Sequence, residues 1–254
     1  MTPLSVVIIT FNEEKNIGKC LDSVTTVADE IVVVDGFSTD RTKEICESYS
    51  VRFVKHIFEG HKEQKNFAVS LSTHQLVLSL DADECLSPEL RQSILSVKNN
   101  GRHDGYFMNR LTCFCGQWVH HSGWYPDRKL RLFNKYKGTF GGTNPHDKFE
   151  LLPKTSSGWI SGDLLHYTAE SESAYREKMK RYAAIAADEM YLQKRKINLL
   201  MVYVKTLAAF LRNYIIRFGF LDGATGWKVC SISAGYTYQK YVALRSLNRR
   251  NRSQ

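Results

Sequence analysis

Two phosphate-binding fingerprints are missing from this chain. No GxxxxGK-S/T segment occurs, which excludes a P-loop, and no GxGxxG follows the first apolar run, so the mark of a dinucleotide fold is absent. Cysteine is scarce and scattered. Of the six, only Cys113 and Cys115 are near neighbours, and one CxC without a second ligand pair is poor evidence for zinc. These residues read as reduced thiols of a cytoplasmic protein. Met1-Thr2-Pro3 runs straight into Leu4–Ile9, with neither the basic start nor the apolar length of a signal peptide. Repeats and low-complexity linkers are absent too. The most apolar segment, 197–218, is interrupted by Lys205, Arg212, Asn213 and Arg217. That argues against a transmembrane span and for a helix that lies on a membrane or packs on the protein.

What is present is an ordinary globular composition. The 254 residues are 43% apolar and 24% charged, enough for a large core in one or two domains. The net charge of +9 is unevenly placed. Residues 171–254 hold 16 Lys and Arg against 5 Asp and Glu, a balance of +11, while the first 170 hold the other 19 and 21, a balance of −2. Two parts are therefore expected, a domain over 1–170 and a basic helical region over 171–254. The basic region points to an anionic surface as its partner, or to a solvated face.

The first 85 residues alternate as a parallel sheet requires. Largely apolar runs at Leu4–Ile9, Glu30–Asp35, Val51–Val54 and Gln75–Leu80 predict strands covered on both faces. Helical spacing separates them at 13–27, 40–49 and 62–71, with Ser38, Thr39 and Asp40 as caps for the second helix. This is the pattern of a doubly wound α/β domain, in which ligands bind beyond the carboxyl ends of the strands. Polar residues collect at those ends: Thr10, Asn12 and Glu13 after the first strand, Asp35 after the second, Asp81 and Asp83 after the fourth. Two carboxylates at i and i+2 repel unless a cation lies between them. Oxygen-only donors favour Mg²⁺ or Mn²⁺, completed by water and substrate phosphates. Glu84, next in line, reads as a solvent-facing or turn-capping residue.

From 104 to 170 the chain is irregular and aromatic-rich, with strands expected at 105–111, 129–133 and 162–167. The loops between them carry His120, His121, Trp124, Tyr125 and Arg128, then Pro145-His146-Asp147. Such loops beside a ligand edge are where substrate contacts usually sit. Trp124 and Tyr125 read as sugar-stacking or as core residues. Arg128 and Arg131 read as contacts to a diphosphate or an anionic acceptor, or as ordinary pairing partners. His166 reads as a metal or diphosphate contact, or as a structural histidine. His120 and His121 have no evident partner and read as loop residues.

Three segments in natural order, SVVIITFNEEKNIGKCLDSV, EIVVVDGFSTDRT and LSLDADE, resemble the nucleotide-sugar half of glycosyltransferase family 2. GWYPDRKLRLF, NPHDKFEL, LLHYTAESESAYREKMKRY and GFLDGATG extend the resemblance to a bacterial subgroup that includes lipopolysaccharide-core β-1,4-glucosyltransferases. The resemblance implies a Rossmann-like GT-A fold with a mostly parallel central sheet and a helical C-terminal extension. It also implies an inverting transferase that uses a nucleoside diphosphate sugar, UDP-glucose as first choice, and a cell-envelope glycan or glycolipid acceptor. By the same carry-over, Glu13 and Asp35 contact base and ribose, Thr10 and Asn12 shape the turn, and Lys65 lies near the nucleotide. Asp83 ligates the metal, Asp81 supports it or the ribose, and Asp147 is the general base. Relatives usually carry Val-His-Glu where this chain has Pro145-His146-Asp147, one methylene longer at the acid.

Other readings are a polyprenyl-phosphate sugar synthase, which needs no such base, and a non-enzymatic basic module for membrane or nucleic acid. The module leaves the acidic edge unexplained, and nucleic acid is not expected as a partner. A haloacid-dehalogenase-type phosphotransferase also uses D-x-D, but after its first strand, whereas here the motif follows the fourth. The expected location is the cytoplasm, at the inner face of the membrane where the basic region docks.

Overall fold

The computed structural model describes residues 1–142, 147–169 and 171–250. Burial on both faces explains the opening strands. In β1 (Leu4–Thr10) every position is buried. Its side chains alternate, so Leu4, Val6 and Ile8 enter one core while Val7 and Ile9 enter another. β2 (Glu30–Asp35) and β4 (Leu76–Asp81) divide in the same way: Val33, Leu76, Leu78 and Leu80 join the first core, Val32, Val34 and Val77 the second. Helix α1 (Ile17–Val24) buries Ile17, Cys20, Leu21 and Val24 on the first core. So does α4 (Pro88–Asn100), through Leu90, Ile94 and Val97. That helix begins where Ser87 Oγ accepts the Leu90 N–H at 3.2 Å with proline in the first turn. The second core is closed by α3 (His61–Leu71) and by Phe133, Phe140 and Phe149. α2 (Thr42–Glu47) and β3 (Arg52–Lys55) complete the doubly wound half.

The sheet is mixed. Parallel pairing runs β3–β2–β1–β4. Beyond β4 the neighbours are antiparallel: β8 (Asp127–Asn134) pairs with β4, and β6 (Gly105–Phe114) with β8. β11 (Ser157–Ala169) follows, with the short β5 (Glu84–Leu86) at the edge. A separate ribbon joins β9 (Gly138–Gly141) to β10 (Lys148–Leu151). The strands expected at 105–111, 129–133 and 162–167 lie within β6, β8 and β11. β5, β9, β10 and β7 (Gln117–Val119) are three or four residues each, too short to display a period of two. Gly162, at φ +91, lets β11 pass the start of α4, since a Cβ there would lie 2.2 Å from the Leu90 nitrogen.

The chain divides into two compact units, 1–111 with 127–167, and 112–126 with 168–254. In the second unit, α5 (Glu172–Leu192) and α6 (Leu199–Leu211) both pack on α7 (Gly223–Arg250). α6 continues through a π turn to Ile216, then a 3₁₀ turn covers Gly219–Asp222. Gly226 permits this corner, because a Cβ there would meet the Gly219 carbonyl oxygen at 1.8 Å. The unit has its own small core of Phe114, Val119, Val229 and Ile232. By length and composition, Leu199–Ile216 would suffice to cross a membrane, although little of it is buried in the protein.

Candidate active site

Parallel register sets the polar ends of three strands side by side. Thr10 pairs with Asp35 across β1 and β2, and Ile9 pairs with Asp81 across β1 and β4. Around Thr10 the turn is knitted by short polar contacts. Asn12, at φ +54, donates its N–H to Ser38 Oγ at 2.8 Å, and its Oδ1 accepts the Thr39 N–H at 2.8 Å. Glu13 donates its N–H to Thr42 Oγ1 at 2.8 Å and accepts from Asn16 Nδ2 at 2.7 Å. Asp35 is fully buried and accepts from both the N–H and the hydroxyl of Ser38. The Thr10 hydroxyl is buried too and has no hydrogen-bond partner among the described residues. An unpaired hydroxyl in such a place calls for a ligand or water.

Two large apolar groups reach solvent at this edge, Phe11 and Phe37, respectively 57% and 49% exposed, with Lys55 Nζ 5.6 Å from the Phe37 ring centre. Both phenylalanines were passed over in the sequence. The available signal was an aromatic residue placed directly after Thr10 and after Gly36, in turns otherwise made of polar residues.

The acidic end of β4 is neutralised from within the protein. Arg131 Nη2 lies 2.9 Å from Asp81 Oδ2 and 2.9 Å from Glu84 Oε1. Lys65 Nζ is 3.1 Å from Asp81 Oδ1, an ionic contact without hydrogen-bond alignment, and 3.4 Å from Oδ2 with it. The same ammonium sits 2.9 Å from Asp147 Oδ2. Arg110 reaches Glu84 at 3.2 Å and Asp127 at 2.8 Å, and Lys129 reaches Asp127 at 3.2 Å. Asp81, Glu84, Asp127 and Asp147 are thus matched by Lys65, Arg110, Lys129 and Arg131. Burial alone would raise the Asp81 carboxyl, but Lys65 and Arg131 hold it well below the usual carboxylate range. Burial opposes charge on Arg131 as well, and Glu84 and Asp81 more than offset it, pushing the guanidinium further up.

One expectation changes, and the two arginines take different places. Glu84 is neither solvent-facing nor marginal: it is fully buried, accepts the Asp81 N–H at 3.0 Å and anchors two arginines. Arg131 is buried between Asp81 and Glu84, the arrangement of a pairing partner. Arg128, in contrast, is exposed and stacks its guanidinium 5.4 Å from the ring centre of Trp159.

Asp83 stands apart from this network. Its Oδ2 lies 3.2 Å from His166 Nε2, bringing the β4–β5 turn to β11. The Tyr167 N–H donates to the Asp83 carbonyl at 2.9 Å and fixes that approach. Among the described residues no group of three or more His, Cys, Asp or Glu is arranged to hold a metal. A carboxylate with an imidazole nevertheless fits Mg²⁺ or Mn²⁺, which complete their shells with water and phosphate oxygens. Asp81 gives its oxygens to Lys65 and Arg131 instead. Cysteine chemistry is disfavoured, because burial, helped by Asp83 and opposed by Lys19, pushes the Cys85 thiol up to about 12.

Trp124 and Tyr125 belong to the second unit. Trp124 meets Phe114 edge-on and packs by Tyr175, a core role in that unit. Tyr125 contacts His120 edge-on. His121 does have a partner: Asp222 accepts from its ring and from the N–H groups of His120 and His121. Pro145 and His146 lie outside the described residues.

A half-parallel, half-antiparallel sheet with its polar edge at the carboxyl ends of β1, β2 and β4 is the GT-A type of glycosyltransferase fold. The mannosyltransferase PcManGT of Pyrobaculum calidifontis, solved with GDP-Man and Mn²⁺, has this fold. It matches 96% of this chain and 87% of its own with a TM-score of 0.54 at 16% identity. The chain belongs to glycosyl transferase family 2, whose family model matches residues 5–149, and it is an enzyme of that class. An uncharacterized glycosyltransferase of Rickettsia typhi is 28% identical, covering 100% of this chain and 90% of the relative. The lipopolysaccharide core biosynthesis glycosyltransferase LpsC of Rhizobium meliloti is 27% identical, covering 94% of this chain and 93% of LpsC.

Proposed function

We propose that this glycosyltransferase moves a hexose, glucose from UDP-glucose as first choice, to a hydroxyl of a lipopolysaccharide-core or related envelope glycan, with inversion. The observation that carries the reading is the set of polar strand ends at one sheet edge, Thr10 beside Asp35 and Ile9 beside Asp81, with Asp83 next to His166. The similarity to LpsC supports the acceptor class.

In this reading the nucleoside lies at the ends of β1 and β2. Phe11 and Phe37 offer aromatic faces to the base, the unpaired Thr10 hydroxyl meets a polar group of the nucleotide, and Asp35 and Glu13 hold the turn in shape. Asp83 and His166 would hold a Mg²⁺ or Mn²⁺ ion, which when bound offsets the charge developing on the departing diphosphate. Asp81 supports this side from behind, itself held by Lys65 and Arg131. Asp147 accepts the proton of the acceptor hydroxyl at a carboxylate oxygen, while Lys65 keeps that side chain in place. Attack from the face opposite the leaving group inverts the anomeric carbon through an oxocarbenium-like transition state.

The test is a donor screen by calorimetry with UDP-glucose, UDP-galactose, UDP-N-acetylglucosamine and GDP-mannose, each with and without Mn²⁺. Metal-dependent binding of one donor is expected, and binding of none overturns the proposal. A lipid phosphate acceptor is the second reading, favoured by the engagement of Asp147 with Lys65, since such an acceptor needs no base. Asp147→Asn would leave transfer nearly intact in that case.

A further inference from the structure

Helix α6 inverts the usual arrangement of a surface helix. Leu200, Tyr203, Val204, Leu207 and Leu211 recur at three- and four-residue spacing and are all exposed. Val202 and Asn213, on the other side, are buried in the second unit. The exposed stripe continues through Ile215 and Ile216 to Phe218, Phe220 and Leu221, and Leu200 and Ile216 are each 70% exposed. Patches of this kind on a soluble surface mark a contact with something else.

Charge identifies the occupant. From Met190 to Leu221 there is no Asp or Glu, whereas Lys194, Arg195, Lys196, Lys205, Arg212 and Arg217 all fall in that stretch. Lys194, Arg195 and Lys196 are exposed immediately before α6, and Lys205 and Arg212 are exposed on α6 and its continuation, Lys205 with its ammonium 5.7 Å from the Tyr241 ring centre. An apolar face edged by long cationic side chains suits the boundary between acyl chains and anionic headgroups, where the stems lie along the apolar surface and the charges reach outward. A protein partner would have to supply a matching acidic rim, and a second copy of this same basic surface would repel.

We propose that α6 and the turns after it form an interfacial membrane-docking surface that lies in the plane of an anionic bilayer. A bilayer crossing is disfavoured on the same observations. Leu199–Ile216 is long enough to span, but a crossing would place charge in the hydrocarbon core. Lys205 and Arg212 would sit inside it, and one side of the helix is already occupied by α7. This inference stands independently of the donor and acceptor proposed above.

The test is co-sedimentation of the full chain with phosphatidylcholine vesicles, with and without phosphatidylglycerol, at low and high salt. Association is expected with the anionic vesicles only, weakening as salt rises. Lys194→Gln with Arg195→Gln and Lys196→Gln, which leaves the apolar face untouched, is expected to weaken it about 100-fold, from about fivefold per cation near such a surface. Leu200→Glu with Leu207→Glu and Leu211→Glu is expected to abolish it, with circular dichroism confirming that the chain remains folded. Absence of association by the parent chain overturns the proposal, as does equal association of parent and both variants. A dimer by light scattering that the glutamate variant dissociates, with vesicle binding unchanged, makes the patch a self-contact and overturns it too.

Discussion

Arg131→Met removes one charge from the buried end of β4 while keeping most of the side-chain volume. In the parent protein one guanidinium nitrogen lies 2.9 Å from both Asp81 and Glu84. At an effective dielectric constant of about 20, each contact represents an attraction of about 6 kcal/mol, largely offset by the cost of removing three charges from water. The methionine variant keeps the desolvation of both carboxylates and loses the compensation, for which a cost of about 3–5 kcal/mol is expected. Lys65 and Arg110 remain to hold Asp81 and Glu84, which places the outcome toward the lower figure. The assay is urea unfolding followed by near-ultraviolet circular dichroism across acidic and neutral pH.

The pH dependence has a definite sign. Asp81 has a folded-state pKa below its unfolded value, so its contribution is fully present above the ordinary carboxylate range and is lost as pH falls through the depressed folded value. With Arg131 gone that folded value moves up, so the loss of stability on acidification begins at higher pH than in the parent. Adding Glu84→Gln to Arg131→Met should cost less than the sum of the two single changes by about 0.5–3 kcal/mol, since the pair acts as a unit. A loss below about 1 kcal/mol for Arg131→Met, with an unchanged acid limb, would refute the argument that this arginine neutralises the strand end.

Four further changes probe the site and the fold. Asp147→Asn is expected to lower kcat about 100- to 10,000-fold with little change in donor KM if it serves as the base, read from initial rates with the donor found in the screen. Asp83→Asn should abolish the Mn²⁺-dependent part of donor binding in calorimetry while leaving the thermal midpoint nearly unchanged, because Asp83 takes no part in the buried ion network. Phe11→Ala should weaken nucleotide binding by about 1–3 kcal/mol, the worth of one aromatic face on a base, with UDP itself as the titrant. Gly162→Ala should destabilise the first unit by at least about 1–3 kcal/mol from backbone strain alone, since its Cβ would also lie 2.2 Å from the Leu90 nitrogen; the urea midpoint reports it.

Much of the doubly wound half was legible because its signals are local. Continuous apolar runs such as Leu4–Ile9 are what a strand between two helical layers requires. The strand ends bearing Thr10, Asp35 and Asp81 were legible for the same reason, because parallel strands must bring their carboxyl ends to one edge. The short strands β5, β7, β9 and β10 carried too few residues for any period. The burial of Glu84 and Arg131 was hidden differently: charged residues look solvated in sequence unless their partner is known.

The succession along the chain and the parallel direction of the early strands, the edge on which polar residues gather and the uneven distribution of charge were determined by the sequence alone. Each depends on side chains close together along the chain. The identity of what answers the acidic strand end was decided only in three dimensions. Asp81 repels its acidic neighbours in any local view, and that view called for a metal at its side. Folding brings Lys65 from 16 residues before it and Arg131 from 50 residues after it, and closes Asp147 onto the same ammonium across 82 residues. No local pattern encodes such contacts, because they arise from the antiparallel pairing of β8 with β4 and the seating of α3 on the second core. Asp83 lies outside that network and meets His166 instead.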